Sequence, residues 1–387
     1  RMTDTRVRIL LVNHQSECGG AEHSLLELIE GLDPKRFALH LACTGDGPLA
    51  ARARELGAEV HPVPMRFQGP LRKLFGLPRA VFALRRVIRG NAIDLVHANT
   101  LIAGYCATVA AKLCGVPVVW HVRDIGYPAV ARRICRLADR IIANSRATAE
   151  SLQVPEDHLH VVHNGVGPRF FAPPAAGSLS RLRSELGIPA DHRLVGMFGR
   201  LDRWKGHLDL LGAAATVLRS RPDTTFVIVG GSPFADGVVS DYRAELESAA
   251  RELGIADSVC FTGPREDVPL LLAAMDVVVH PSAQPEPFGR VIAEAQAAGK
   301  PVVGSAAGGI PELIDDGVTG LLFPPGDVEA LADRIATLLD DPELARRLGA
   351  AAHRNARERF TQAVHAASVA AVYDEVRRHR NGEIPSN

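Results

Sequence analysis

Short apolar runs of strand length alternate with longer stretches of helical period through most of the chain. Val7 to Val12 reads as a buried strand, followed by a polar, glycine-containing loop over 13–20 and a helix from about Ala21 to Leu32. The alternation continues with strands over Phe37–Cys43, Glu59–Pro62, Asp94–Ala98, Val116–His121 and Arg140–Asn144. Helices are predicted over Pro48–Leu56, Leu77–Gly90, Leu101–Cys114 and Ala147–Leu152. A segment rich in proline and glycine, Gly167 to Ser180, interrupts the pattern and has the composition of a linker. Beyond it a strand over Arg193–Phe198, a helix over Gly206–Leu218 and a strand over Thr225–Gly230 restart the same alternation, which runs through Leu322. Asp327 to His379 is helical and without strand signal. Strands alternating with helices predict parallel sheets covered on both faces, here as two doubly wound α/β domains facing a cleft. The expected division is 1–167 with about 366–387, the last helix crossing back, and 168–365.

Composition narrows this little but excludes several classes. Hydrophobic residues make up 47% and aromatics only 5%, a mixture that suits small aliphatic side chains on parallel sheets. Lys+Arg and Asp+Glu both number 44, so no net charge attracts the chain to nucleic acid. The six cysteines form no paired Cys-x-x-Cys set, so no zinc site of that kind is expected, and their scatter suits reduced thiols of a cytoplasmic protein. Arg1-Met2-Thr3-Asp4 leads directly towards a strand and does not read as a signal peptide. No apolar run approaches the ~20 residues a spanning helix needs.

The most informative segment is Glu286-Pro287-Phe288-Gly289-Arg290-Val291-Ile292-Ala293-Glu294, two carboxylates separated by seven residues. It lies between the apolar strand Val277–His280 and a second strand, Pro301–Gly304, which a glycine pair, Gly308-Gly309, follows. Such a strand–loop–helix–strand unit places ligands at the carboxyl ends of its strands. Two carboxylates there can hold two sets of hydroxyls, as on a nucleotide sugar. Upstream, Gly199-Arg200-Leu201-Asp202-Arg203-Trp204-Lys205-Gly206 joins a strand to a helix and brings two cations, Arg200 and Lys205, near one strand end. Such cations read either as solvated loop charges or as partners of a phosphate. Gly19-Gly20 opens the first long helix, either as an ordinary turn or as a close approach to phosphate. His121 is placed at a strand end, followed by Arg123 and Asp124. Thr262-Gly263-Pro264-Arg265 reads as a turn or as the wall of a base pocket.

Taken together these segments resemble the retaining glycosyltransferases of family 4, of the glycosyl transferases group 1 type and the GT-B fold. The likeness runs from Gly19-Gly20-Ala21-Glu22 to the C-terminal helices. It includes Asn164-Gly165-Val166, Gly199-Arg200, Lys205-Gly206, Gly308-Gly309-Ile310-Pro311-Glu312 and Gly317 to Leu322 in the family's order. The resemblance implies a hexosyltransferase using a UDP-, GDP- or ADP-sugar, with no cofactor and no metal. It places Glu286 on hexose hydroxyls and Glu294 on the ribose. Backbone amides of Phe288, Gly289, Arg290 and Val291 would hold sugar and diphosphate, with Arg200 and Lys205 neutralising the diphosphate. His121 would lie beside the reacting sugar, and Gly20 would approach the phosphate from the first domain. Arg290 departs from the apolar residue common in the family and would face either phosphate or solvent. The implied reaction is a front-face substitution, unlike the two-carboxylate scheme of retaining glycosidases.

The acceptor is not identified by these motifs. Between Met65 and Gly90, Arg66, Arg72, Lys73, Arg79, Arg85, Arg86 and Arg89 interleave with Phe67, Leu71, Leu74, Phe75 and Phe82. Most such runs are solvated helix faces; the alternative is peripheral contact with an anionic membrane, suiting a lipid-linked or cell-envelope acceptor at the inner face. Two other functions fit the fold: a sugar-nucleotide epimerase, needing no acceptor, and a non-catalytic nucleotide-sugar-binding partner. Retention of both carboxylates and both cations weighs against the second.

Overall fold

The computed structural model describes residues 5–65, 70–127, 129–231, 240–380 and 382. The chain divides into two compact units, residues 1–165 with 361–387, and residues 166–360. Each is a parallel sheet with helices on both faces.

The first unit has strands β1 (Val7–Val12), β2 (Phe37–Cys43), β3 (Glu59–Pro62), β4 (Leu95–Ala98), β5 (Val118–Val122), β6 (Arg140–Ala143) and β7 (Leu159–Val161). They lie in the order β3-β2-β1-β4-β5-β6-β7, so the direction of winding reverses between β1 and β4. Side chains alternate across each strand and feed two cores. Val118, Trp120 and Val122 of β5 pack with the helices Pro70–Gly90 and Leu101–Cys114. Val119, from the opposite face, packs with the helices Gly20–Gly31 and Gln362–Arg380. The last helix therefore belongs to the first unit: a Cβ on Gly31 would stand 2.8 Å from the Ala366 Cβ.

The second unit has strands β8 (Arg193–Phe198), β9 (Thr224–Val229), β10 (Val259–Gly263), β11 (Val277–His280), β12 (Val302–Ser305) and β13 (Leu321–Phe323), in the order β10-β9-β8-β11-β12-β13. Its reversal falls between β8 and β11. The expected linker is instead part of this unit, because Phe170 is buried in its core and Phe171 packs beside it. Proline and glycine there shape a short 3-10 turn, Pro168–Phe170, that presents the ring.

Among the described residues no helix is long and apolar enough to cross a membrane. All six cysteines are free thiols, and burial pushes Cys106 and Cys135 up to about 12, which keeps them protonated and unreactive.

The helix Leu101–Cys114 is made of small residues because it lies on the indole of Trp120. A Cβ on Gly104 would stand 1.9 Å from the Trp120 Cε2, and Trp120 is fully buried and cannot retreat. Gly104→Ala should therefore destabilise the protein by roughly 1–3 kcal/mol as an overpacked core does. Urea unfolding followed by tryptophan fluorescence checks this. Gly90→Ala, with nothing near its added methyl, should not lower the midpoint.

Candidate active site

Parallel sheets leave a crevice where the winding reverses, and loops from the two flanking strands enter it from opposite sides. In the second unit these are the loop after β8, carrying Arg200 to Gly206, and the loop after β11, carrying Pro281 to Gly289. The two are laced together. The Ala283 amide donates to the Trp204 carbonyl at 2.9 Å. Gly206, at φ +81°, passes so close to Pro281 that a Cβ would lie 1.8 Å from the Pro281 carbonyl oxygen. Only glycine permits both the left-handed turn and that approach.

The result is a charge cluster centred on Glu286. Its Oε2 accepts from Lys205 Nζ at 2.6 Å, from His280 Nε2 at 3.2 Å and from the Ser282 hydroxyl at 3.2 Å. Lys205 and Glu286 side chains are each 12% exposed, and the ammonium also stands 4.0 Å from the centre of the Trp204 ring. With a carboxylate as its neighbour, the His280 Nε2 carries the proton. All three bonds fall on one oxygen; among the described residues none donates to Oε1. Burial alone would push the Glu286 carboxyl up, but the bond from His280 and the charge of Lys205 outweigh it and hold it at about 2. Glu286 is thus an anion that accepts protons in hydrogen bonds and has none to give.

The position of Glu286 is set by the glycine pair downstream. Its carbonyl accepts from the Gly309 amide at 2.7 Å, and it forms a parallel bridge with Gly308. At φ +60°, Gly308 would place a Cβ only 2.2 Å from the Glu286 carbonyl oxygen. The pair therefore acts through the backbone that carries the carboxylate.

Gly289, at φ +91°, turns the chain into the helix Arg290–Ala297. The Ile292 and Ala293 amides return to the Gly289 carbonyl, so the Arg290 and Val291 amides precede the first intrahelical bond, at the positive end of the helix. Phe288 is a core residue, its ring edge-on to Phe360 at 6.2 Å, which anchors the turn. Glu294 lies buried one turn on. Arg290 does not point to solvent: its Nη2 donates to Glu294 Oε1 at 2.8 Å, and the side chain is only 13% exposed. The four-residue spacing on one helix face brings them together. Arg200 is the outlying cation, 56% exposed and 3.1 Å from Asp202.

Gly20 and His121 belong to the first unit. Gly20 is exposed at the first position of its helix. Glu22 reaches back to the Gly19 amide at 3.0 Å and holds Asn13 at 3.1 Å. His121 requires a correction. β5 runs on to Val122, so His121 lies inside the strand, fully buried, with His97 and His365 rings at 5.4 and 6.0 Å. Burial, with the positive charge of Arg123 adding to it, pushes its pKa well below the ordinary histidine value. The residue at the strand end is Arg123. Its guanidinium donates to Asn99 Oδ1 at 2.6 Å, Ser24 Oγ at 2.8 Å and Asn164 Oδ1 at 2.6 Å, and lies 3.2 Å from His121 Nδ1. Asn99 in turn binds Asn13 across the reversal between β4 and β1. Sequence reasoning did not single out Asn13, Ser24 or Asn99, and named Arg123 only as a neighbour of His121. The available signal was an asparagine or arginine directly after each of three apolar strands, Asn13, Asn99 and Arg123. In the second unit it also passed over His280 and Ser282.

Residues 18–170 match the family described as Glycosyltransferase Family 4, and residues 180–355 match Glycosyl transferases group 1. The D-inositol 3-phosphate glycosyltransferase of Streptomyces scabiei is 36% identical over 74% of this chain and 68% of its own length. That of Corynebacterium kroppenstedtii is 35% identical over 64% of this chain, which spans only 57% of that relative. Among solved structures, Anabaena HepE in complex with UDP-glucose is 30% identical over 96% of this chain and 100% of its own, with a TM-score of 0.84.

The depressed Glu286 carboxyl has a consequence for stability. A folded-state value below the ordinary 4.5 stabilises the fold above that pH, and the contribution is lost as pH falls from 4.5 towards 2. It is on the order of 3 kcal/mol. The difference in urea midpoint between the wild type and Glu286→Gln should be constant above about pH 5 and shrink steadily below it.

Proposed function

This chain belongs to glycosyltransferase family 4 and is a glycosyltransferase of the GT-B fold; from that premise we propose that it transfers a hexosyl group, with retention, from a nucleotide-diphosphate sugar to a hydroxyl-bearing acceptor. The observation that carries this reading is the Glu286 carboxylate, ionised and, among the described residues, bonded through one oxygen only. An ionised acceptor of that kind suits sugar hydroxyls and cannot act as a general acid. A 30% identical neighbour spanned in full was solved with UDP-glucose, which makes UDP-glucose the first donor to test.

In this reading Glu286 Oε1 takes hydroxyls of the hexose, and Glu294, steadied by Arg290, takes those of the ribose. The Gly289 turn and the Arg290 and Val291 amides face the diphosphate. Lys205 serves two partners: it keeps Glu286 ionised, and its charge stabilises the leaving diphosphate. Arg200, exposed and paired with Asp202, can swing onto a phosphate. The bond from the anomeric carbon to the diphosphate breaks while the acceptor oxygen bonds on the same face, and the acceptor's proton passes to the departing phosphate oxygen. No protein base and no metal is needed for that exchange. His121 serves as a positioning residue that supports Arg123. An epimerase is not favoured, since the similar curated proteins are transferases by name.

The reading includes a lipid-linked acceptor reached from an anionic bilayer surface. Residues 66–69 of the basic run lie outside the described residues. Within the helix Pro70–Gly90, Phe82 is 69% exposed, and Arg79, Arg86 and Arg89 are exposed too. An exposed ring among arginines suits an anionic interface.

With UDP-glucose and an acceptor extract, UDP release should depend on the acceptor. Glu286→Ala and Lys205→Ala should each lower kcat/KM by roughly a hundredfold to a thousandfold. Turnover preserved in both variants would refute the site. In sedimentation with phosphatidylglycerol vesicles, wild type should pellet and the double variant Phe82→Ser/Arg86→Glu should not; equal pelleting would sink the membrane contact.

A further inference from the structure

The edge of the first sheet gathers three metal-ligating side chains that the transferase reaction does not use. β3 is a four-residue edge strand, bonded on one side only, to β2. Their register sets His40 opposite Glu59 and Ala42 opposite His61. Residues opposite each other, and those two further along, share a face of a sheet, so the side chains of His40, Glu59 and His61 converge. The two imidazoles lie nearly parallel, with ring centres 5.3 Å apart at 20°. His40 Nδ1 stands 3.1 Å from His61 Nε2. The Glu59 carboxylate spans the pair, with Oε2 at 3.6 Å from His40 Nδ1 and Oε1 at 3.7 Å from His61 Nε2.

We propose that His40, Glu59 and His61 form a binding site for a divalent transition metal of the zinc class, which pins the edge strand β3 to β2.

Two features support this. Metal–ligand bonds of about 2.0–2.1 Å in a tetrahedron set the ligand atoms roughly 3.3–3.4 Å apart; the two imidazole nitrogens stand 3.1 Å apart, and one ligand atom from each of the three residues lies within 4.8 Å of the others. Glu59 is 63% exposed, so the cluster opens to solvent on one side and leaves a further coordination position for water. Two imidazoles and a carboxylate select zinc, nickel or copper over magnesium or calcium. Arg8, on the neighbouring strand β1, adds an opposing positive charge near His40. The Glu59 carboxylate offsets it. The bland alternative is an imidazole pair sharing one proton, which would need no metal.

The test uses the full chain, freed of metal by a chelator. Titration with Co2+ should saturate at one equivalent with a visible ligand-field band of low-coordinate form, and Zn2+ should displace it. The thermal midpoint should rise with Zn2+ and not with Mg2+. His40→Ala and His61→Ala should lower Co2+ affinity by at least roughly tenfold, the scale on which ligand-shell changes act. Because His40 is buried, Glu59→Gln serves as the mild variant: its circular dichroism should match wild type while its Co2+ affinity falls. Absence of a saturable band, or unchanged affinity in His61→Ala and Glu59→Gln, would overturn the proposal.

Discussion

A buried ion pair stabilises a site only when every charge in it finds partners, because removing two ions from water costs several kcal/mol each. The pair of Lys205 and Glu286 meets that condition by drawing on both sides of a chain reversal. Lys205 comes from the loop after β8, Glu286 from the loop after β11, and His280 and Ser282 supply the remaining donors. None of these four could satisfy the others alone. The sheet order that makes β8 and β11 neighbours is therefore a precondition of the charge cluster, and the close turns at Gly206 and Gly308 let the loops approach to hydrogen-bonding distance.

The first unit solves a similar problem with mostly neutral groups. Arg123 leaves the end of β5 and is surrounded by Asn99, Ser24, Asn164 and His121 rather than projecting from the strand. Asn13 and Asn99 extend the network across the reversal to Glu22. Each buried polar atom held in this way avoids a desolvation penalty and stiffens the loops at the strand ends. Both units thus place their polar investment at the point where strand order reverses.

Much of this was legible in the sequence. Alternating strand and helix periods announced two parallel sheets, since an apolar run such as Val277 to Val279 can be buried on both faces only there. Glu286 and Glu294 stood out through their spacing around Phe288-Gly289, because glycine before a helix has a local conformational meaning. His121 was harder. Whether a histidine at a strand end faces solvent or a core depends on one residue of strand length, and β5 extends to Val122. The linker reading of 167–180 failed similarly: a composition of proline and glycine says how a segment bends, not that Phe170 finds a pocket to fill.

Local chemistry along the chain determined the element types, the glycine turns and the carboxylate pair, because each depends on residues close in sequence. Pairing between distant residues was decided only by the tertiary structure. Lys205 meets Glu286 across 81 positions, and Arg123 meets Ser24 across 99. Arg290 turns to Glu294 instead of outward, although their four-residue spacing was in plain view. Whether a side chain takes a near partner, a far one or solvent depends on which choice leaves the fewest buried charges unmatched, and that sum is made only once the sheets are assembled.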